Sequence, residues 1–205
     1  MKLKLSFKVH FYSCFRYYLG YLVLVVLSLI LKFTLNIIDS TYLAYIILSG
    51  LLFSIILGVY EYLIVLHTYL NFQSNPRAFW VSSIFANIIN GIICLFITFI
   101  FNVILYISSN TPIIFGNLAE LLILYIFAYS LGEVGYIILH RVKYLPVIII
   151  IVLAIALIFF GSLIHNGLLK LISFYLESKL LCLIPLALAI GLNFLILFRL
   201  KRFIK

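Results

Sequence analysis

Apolar residues run in long unbroken blocks along this chain, and polar residues collect in short clusters between them. Blocks at about residues 18–38, 42–66, 81–107, 117–139, 146–164 and 180–198 each come close to or exceed the roughly 20 apolar residues that a helix needs to cross a bilayer. They are continuous rather than alternating, which predicts helices and not a barrel. The breaks carry stop and start chemistry. Asp39-Ser40-Thr41 ends the first block and can cap the second helix. Ser108-Ser109-Asn110-Thr111-Pro112 is rich in turn residues. His140-Arg141-Val142-Lys143 closes the fourth block, and Pro146 falls where a first helical turn tolerates proline. Residues 165–179 read as an amphipathic segment, interfacial or re-entrant, with Leu168, Leu169, Leu171, Ile172 and Leu176 opposite Lys170, Ser173 and Glu177. In residues 1–17, Phe7, Phe11, Cys14 and Phe15 recur with Tyr18 at helical spacing, which predicts a helix lying on the membrane surface. The expected fold is all-α: one transmembrane domain over residues 1–205, with about six spans and an interfacial N-terminal helix.

Composition strengthens this picture. The chain is 67% hydrophobic and 9% charged, against about 25% charged in soluble domains. Too little polar surface exists to cover a core, so the lipid bilayer is the expected solvent and partner. The net charge of +9 comes from short basic clusters at block ends, which read as topology signals and headgroup anchors rather than as a nucleic-acid surface. With both termini inside, the inner side holds Lys2, Lys4, Lys8, Arg16, Arg77, Arg141, Lys143, Arg199, Lys201, Arg202 and Lys205. The outer side holds Lys170 and Lys179, with Lys32 snorkelling outward. The asymmetry of eleven against three among the 14 Lys and Arg favours an even number of spans. The N-terminal basic region is not read as a cleavable signal, because no small-residue cleavage site ends the apolar run after it. Cys14, Cys94 and Cys182 lie far apart without metal-ligand spacing, and packing accounts for them.

No motif for catalysis is visible. The chain lacks a P-loop, an HExxH pair and a GxSxG elbow, and His10, His67, His140 and His165 fall at span ends or in loops. No metal or cofactor site and no enzymatic activity are expected. The intramembrane acids are the strongest local signal. Glu61 and Glu133 fall in the inner halves of spans two and four, where a carboxylate costs a few kcal/mol unless paired or neutralised. Each is either a contact for an ion, a substrate or a nearby base such as Arg77 or Arg141, or a group solvated at the headgroups. Glu120 opens span four and suits the helix dipole. Asn87, Asn90 and Asn102 predict that span three faces other helices, and Asn87 and Asn90 share a face at i, i+3. Gly132 and Gly135 flank Glu133 and suit close helix packing.

Two stretches resemble a known family. Leu70-Asn71-Phe72-Gln73-Ser74-Asn75-Pro76-Arg77-Ala78-Phe79-Trp80 is similar to the short cytoplasmic segment of small ABC transporter permease subunits from Gram-positive bacteria, where an apolar-Ser-x-Gly-x-Ser/Thr-Arg-Lys-x-Phe pattern precedes span three. Arg77 matches the arginine and Phe79 or Trp80 the aromatic, while Ser74 and Ala78 stand near the places of the glycine and the second base. Leu131-Gly132-Glu133-Val134-Gly135-Tyr136 through His140-Arg141 resembles the glycine-rich, arginine-terminated end of span four, with a shorter glycine spacing. The resemblance implies a type-2 ABC exporter or immunity permease. Two such subunits, alike or different, would pair, and a separate subunit would bind ATP and dock beneath residues 67–80, leaving this chain without a cofactor of its own. Leu70, Phe72, Ser74, Pro76, Arg77, Phe79 and Trp80 would then form the coupling segment.

The expected function is therefore a permease subunit that exports a peptide, toxin or lipid-like substrate. The alternatives are a non-transporting membrane immunity or accessory protein, and an ion-coupled carrier using Glu61 and Glu133. The abundance of Ile, Leu, Phe, Tyr, Asn and Lys resembles the output of an AT-rich bacterial genome and points to a bacterial plasma membrane.

Overall fold

The computed structural model describes residues 12, 14–27, 30, 41–65, 76–109, 117–139, 167, 170, 181 and 183–203. All the described elements are helical. They are α1 (Cys14–Leu27), α2 (Thr41–Tyr60), which continues into a π-helical turn (Glu61–Val65), α3 (Pro76–Ser109), α4 (Leu118–Leu139) and α5 (Leu183–Phe203). Three segments are long and apolar enough to cross a membrane: Tyr45–Leu63, Arg77–Ile107 and Leu118–Ile137. The chain is a membrane protein built of helices. Its outward apolar side chains fit that solvent. On α3, Phe85, Ile88, Ile92, Phe96 and Ile100 are exposed at helical spacing and form an outward apolar stripe.

The helix described from Cys14 runs through residues 17 and 18 without a break, with Phe15 and Tyr17 exposed and Cys14 and Tyr21 buried. The rest of the expected interfacial segment, apart from Tyr12, lies outside the described residues. Two helix boundaries differ from the sequence expectation. α3 begins at Pro76, not near residue 81. Proline at a helix start loses no hydrogen bond and already has the helical φ, so Arg77, Phe79 and Trp80 lie on the first turns of a helix rather than in a loop. At 34 residues and 1.5 Å per residue, α3 is about 50 Å long and outreaches the roughly 30 Å hydrocarbon layer. Finally, α5 extends to Phe203. The expected span at residues 146–164 and most of the segment 165–179 lie outside the described residues, as do Leu70, Phe72, Ser74 and Arg141.

Packing fixes the helix directions. Tyr62 at the end of α2, Phe79 at the start of α3, Val134 and Ile137 at the end of α4 and Ile196 of α5 share one buried cluster. Ile47 near the start of α2 packs with Cys94 of α3 and Leu121 and Tyr125 of α4. α2, α4 and α5 therefore run the same way and α3 runs against them. α1 lies along α2 and α3, also antiparallel to α2. Its Cys14 packs with Leu57 and Tyr129, and its Tyr21 and Val25 pack with Ile46, Ile97, Phe101 and Leu105. Tyr21 stacks on Phe53 with ring centroids 4.2 Å apart.

The closest approach is between α2 and α4, and glycine permits it. A Cβ on Gly58 would run into the Tyr129 carbonyl oxygen and stand 3.0 Å from the Glu133 nitrogen. A Cβ on Gly132 would run into the Ile55 carbonyl oxygen. The two backbones touch at this level, and no side chain fits between them. Gly135 has open space where its Cβ would be, so the α2 contact depends on Gly132 alone of the pair flanking Glu133.

Candidate functional site

α3 carries a polar stripe through the bundle. Ser83, Asn87, Asn90, Cys94, Thr98 and Asn102 follow one another at intervals of three or four residues and are all buried. Ser83, Asn87, Asn90, Cys94 and Thr98 each contact a polar side chain of another helix, and together they form two layers.

The layer toward the start of α3 contains both acids. Glu61 and Glu133 are each 0% exposed, so neither is solvated at the headgroups. Tyr129 of α4 donates to Glu61 Oε2. Ser83 of α3 donates to Glu133 Oε1. The Tyr62 hydroxyl lies within electrostatic reach of both carboxylates and has no hydrogen-bond partner of good geometry among the described residues. Glu133 Oε2 and Asn87 Oδ1 are also buried without a hydrogen-bond partner there, and no cationic side chain among the described residues pairs with Glu133. Glu61 stands on the first residue of the π-helical turn. Such turns are rare inserts that recur at functional sites.

One turn further along α3 the polar groups close a ring. Asn87 Nδ2 donates to Ser130 Oγ at 2.8 Å, and Asn193 Nδ2 of α5 donates to the same oxygen at 3.1 Å. Ser130 passes its own proton to the Ile126 carbonyl at 3.1 Å, so its hydroxyl is fully used. Asn193 spends its second amide proton on the Ala189 carbonyl at 2.8 Å, and its backbone carbonyl accepts from Trp80 Nε1 at 2.9 Å. Trp80 thus ties the start of α3 to α5, α5 to α4, and α4 back to Asn87.

The second layer is neutral. Asn90 Nδ2 donates to Ser54 Oγ at 3.0 Å, and Cys94 Sγ lies 3.6 Å from Ser54 Oγ and 3.8 Å from Asn90 Oδ1. Thr98 gives its proton to the Cys94 carbonyl at 2.9 Å. The 2.7 Å contact between Thr98 Oγ1 and the Tyr125 hydroxyl is therefore a bond that Tyr125 donates.

Of the residues singled out from the sequence, the structure brings together Glu61, Glu133 and Asn87, with Asn90 one layer away. Phe79 is fully buried beneath them against Tyr62 at a centroid distance of 5.7 Å, while Arg77 is exposed. Glu120 lies apart, buried in the first turn of α4. Ser83, Tyr129, Ser130 and Asn193 were not singled out. Hydroxyls and single amides are common in membrane helices, and nothing in their spacing names the carboxylate or amide opposite. Among the described residues no group of three or more His, Cys, Asp or Glu could hold a metal ion.

These features define a helical membrane protein with a polar core. No protein-family model matches the chain, and neither a curated protein nor a solved structure matches it.

Proposed function

We propose that this chain is the membrane-spanning permease subunit of an ABC-type exporter. It pairs with a second permease subunit and with a separate ATP-binding subunit, and moves a peptide, toxin or lipid-like substrate out of a bacterial cell. The observation that carries this reading is the anchoring of the start of α3. A soluble ATPase can move membrane helices only through contacts that bias one arrangement of them over another. Phe79 is fully buried among Tyr62, Val134, Ile137 and Ile196, and Trp80 is bonded to α5. A push on the start of α3 would reach α2, α4 and α5 at once, and Arg77 is exposed there.

The six-span layout fits the helix directions. α4 and α5 run the same way, which supports a return crossing in the sequence between them. We assign that return to the apolar run at residues 146–164. Both termini then face the cytoplasm, where the basic clusters favour them. The experiment is a mild-detergent pull-down of the tagged chain from its native cells, in wild-type form and as Arg77→Ala. A P-loop ATPase recovered in stoichiometric amount with wild type, and several-fold depleted with the variant at equal expression, is the expected result. Recovery of the chain without such a partner would overturn the reading.

A further inference from the structure

The helix directions collect charge at one end of the bundle. α1 and α3 begin there, and α2, α4 and α5 end there. Arg16 and Arg77 are exposed near the starts of α1 and α3, and Arg199, Lys201 and Arg202 lie on the last two turns of α5. Every Lys and Arg on these five helices is therefore at this end. Of the acids on the same helices, Glu61 and Glu133 are fully buried, and Glu120 is buried at the opposite end. No exposed carboxylate on these helices offsets the charge. Aromatic side chains mark the same level. Tyr17 is exposed, and its ring centroid is 4.3 Å from that of Tyr60 with the planes tilted by 51°. Arg16 lies within electrostatic reach of Tyr60. Near the other end, Tyr45 and Tyr106 are exposed. Trp80 and Tyr106 are about 40 Å apart along α3 at 1.5 Å per residue, close to the thickness of a bilayer with its interfacial regions. Tyrosine and tryptophan favour those two levels, because each has an apolar ring and one polar tip.

We propose that Arg16, Tyr17 and Tyr60 form a binding site for the headgroup phosphate of an anionic phospholipid, where the start of α1 meets the end of α2. A guanidinium presents its planar fork of N–H donors to phosphate oxygens. The two rings beside it give the lipid an apolar wall with hydroxyls at headgroup level. An anionic headgroup also suits the rest of this end. A zwitterionic one would bring an ammonium toward Arg77 and the basic turns of α5, whereas an anionic one brings no opposing positive charge. The site goes beyond the permease reading and holds whether or not an ATPase docks at the same end, so its test uses this chain alone.

The test is native mass spectrometry of the full chain in detergent micelles, titrated with phosphatidylglycerol or with phosphatidylcholine of the same acyl chains. The expected result is one tightly retained phosphatidylglycerol per chain, preferred about fivefold over phosphatidylcholine, which is the weight of one basic residue at a membrane surface. The preference should vanish in Arg16→Gln and persist in Arg77→Gln. Tyr17→Phe, which keeps the ring and removes one hydroxyl, should lower it about twofold, and keeps the proposal testable if Arg16→Gln does not fold. Equal retention of the two lipids by wild type would overturn the proposal, as would a preference that survives in Arg16→Gln. Loss of the preference to the same extent in Arg77→Gln would also overturn it, by showing a diffuse attraction of the whole end. Displacement of the lipid by inorganic phosphate would show a soluble anion as the ligand, and displacement by an oligoglutamate peptide an acidic protein segment. Either result would overturn the lipid assignment.

Discussion

The two polar layers sit one above the other in the same bundle and are built from the same three helices, yet they are finished differently. In the neutral layer the partners match. Asn90, Ser54 and Cys94 satisfy one another, and Tyr125 donates to Thr98 while Thr98 donates to its own helix. In the acid layer the partners do not match, and Glu133, Asn87 and Tyr62 each keep a buried polar atom without a hydrogen bond among the described residues. A buried polar group without a partner costs about 1–3 kcal/mol, more than a membrane helix pair gains from a typical interhelical bond. The neutral layer reads as adhesive between helices. The acid layer leaves buried polar atoms unmatched, and it lies next to Phe79, which packs against Tyr62.

The glycines give the largest contrast. Beside the acid layer, Cβ atoms on Gly58 or Gly132 meet backbone carbonyls, which cannot turn aside. At the neutral layer a Cβ on Gly50 meets the far end of the Tyr125 ring, with Cε1 at 2.8 Å, and a ring tip can swing. Gly132→Ala and Gly58→Ala should therefore separate α2 from α4 and cost on the order of 3 kcal/mol, at the upper end of overpacking penalties. Gly50→Ala should cost about 1 kcal/mol and Gly135→Ala almost nothing. Unfolding by SDS in mixed micelles checks the order. Equal losses at Gly50 and Gly132 would mean that the two layers do not differ in backbone approach.

A smaller effect separates the two asparagines of the α3 stripe. Asn90→Leu removes the donor to Ser54 and the acceptor for Cys94, and should cost about 1–2 kcal/mol. Asn87→Leu removes an oxygen that has no partner and leaves Ser130 still bonded to Asn193. Its cost should stay within about 0.5 kcal/mol of zero, because deleting an unsatisfied polar atom offsets the lost bond. The same micelle titration reads both. An Asn87 variant as damaging as the Asn90 one would show that Asn87 Oδ1 has a partner in the membrane.

Sequence pattern carried part of this contrast. Asn87 and Asn90 stand out in an apolar run, and their spacing already places them on one face. Glu61 and Glu133 stand out for the same reason. Their depth was legible, but whether water reached them was not, since that depends on how closely α2 and α4 approach. Gly132 was visible as a small residue beside an acid, yet Gly58 was not matched to it. α2 is apolar almost all round, so its inward face has no polar contrast to mark it. The early start of α3 was available in principle from Pro76, because proline favours first turns. The polar run around it masked that signal and read as a loop. The π-helical turn at Glu61 has no residue signature, as it arises from packing.

The finest distinction lies within the neutral layer, in the bond between Thr98 and Tyr125. Thr98→Val keeps the shape and removes the acceptor, leaving the Tyr125 hydroxyl buried without its partner. Tyr125→Phe removes the donor and leaves Thr98 still bonded to the Cys94 carbonyl. The first change should therefore be the more costly single variant, and the double variant should be no worse than Thr98→Val, because the orphaned hydroxyl is then gone. The coupling energy from this cycle should be about 0.6 kcal/mol, the average found for interhelical hydrogen bonds in a membrane protein. A coupling near zero would mean that water or another group reaches Tyr125 when Thr98 is lost. The contrast between the two layers would then rest on charge alone.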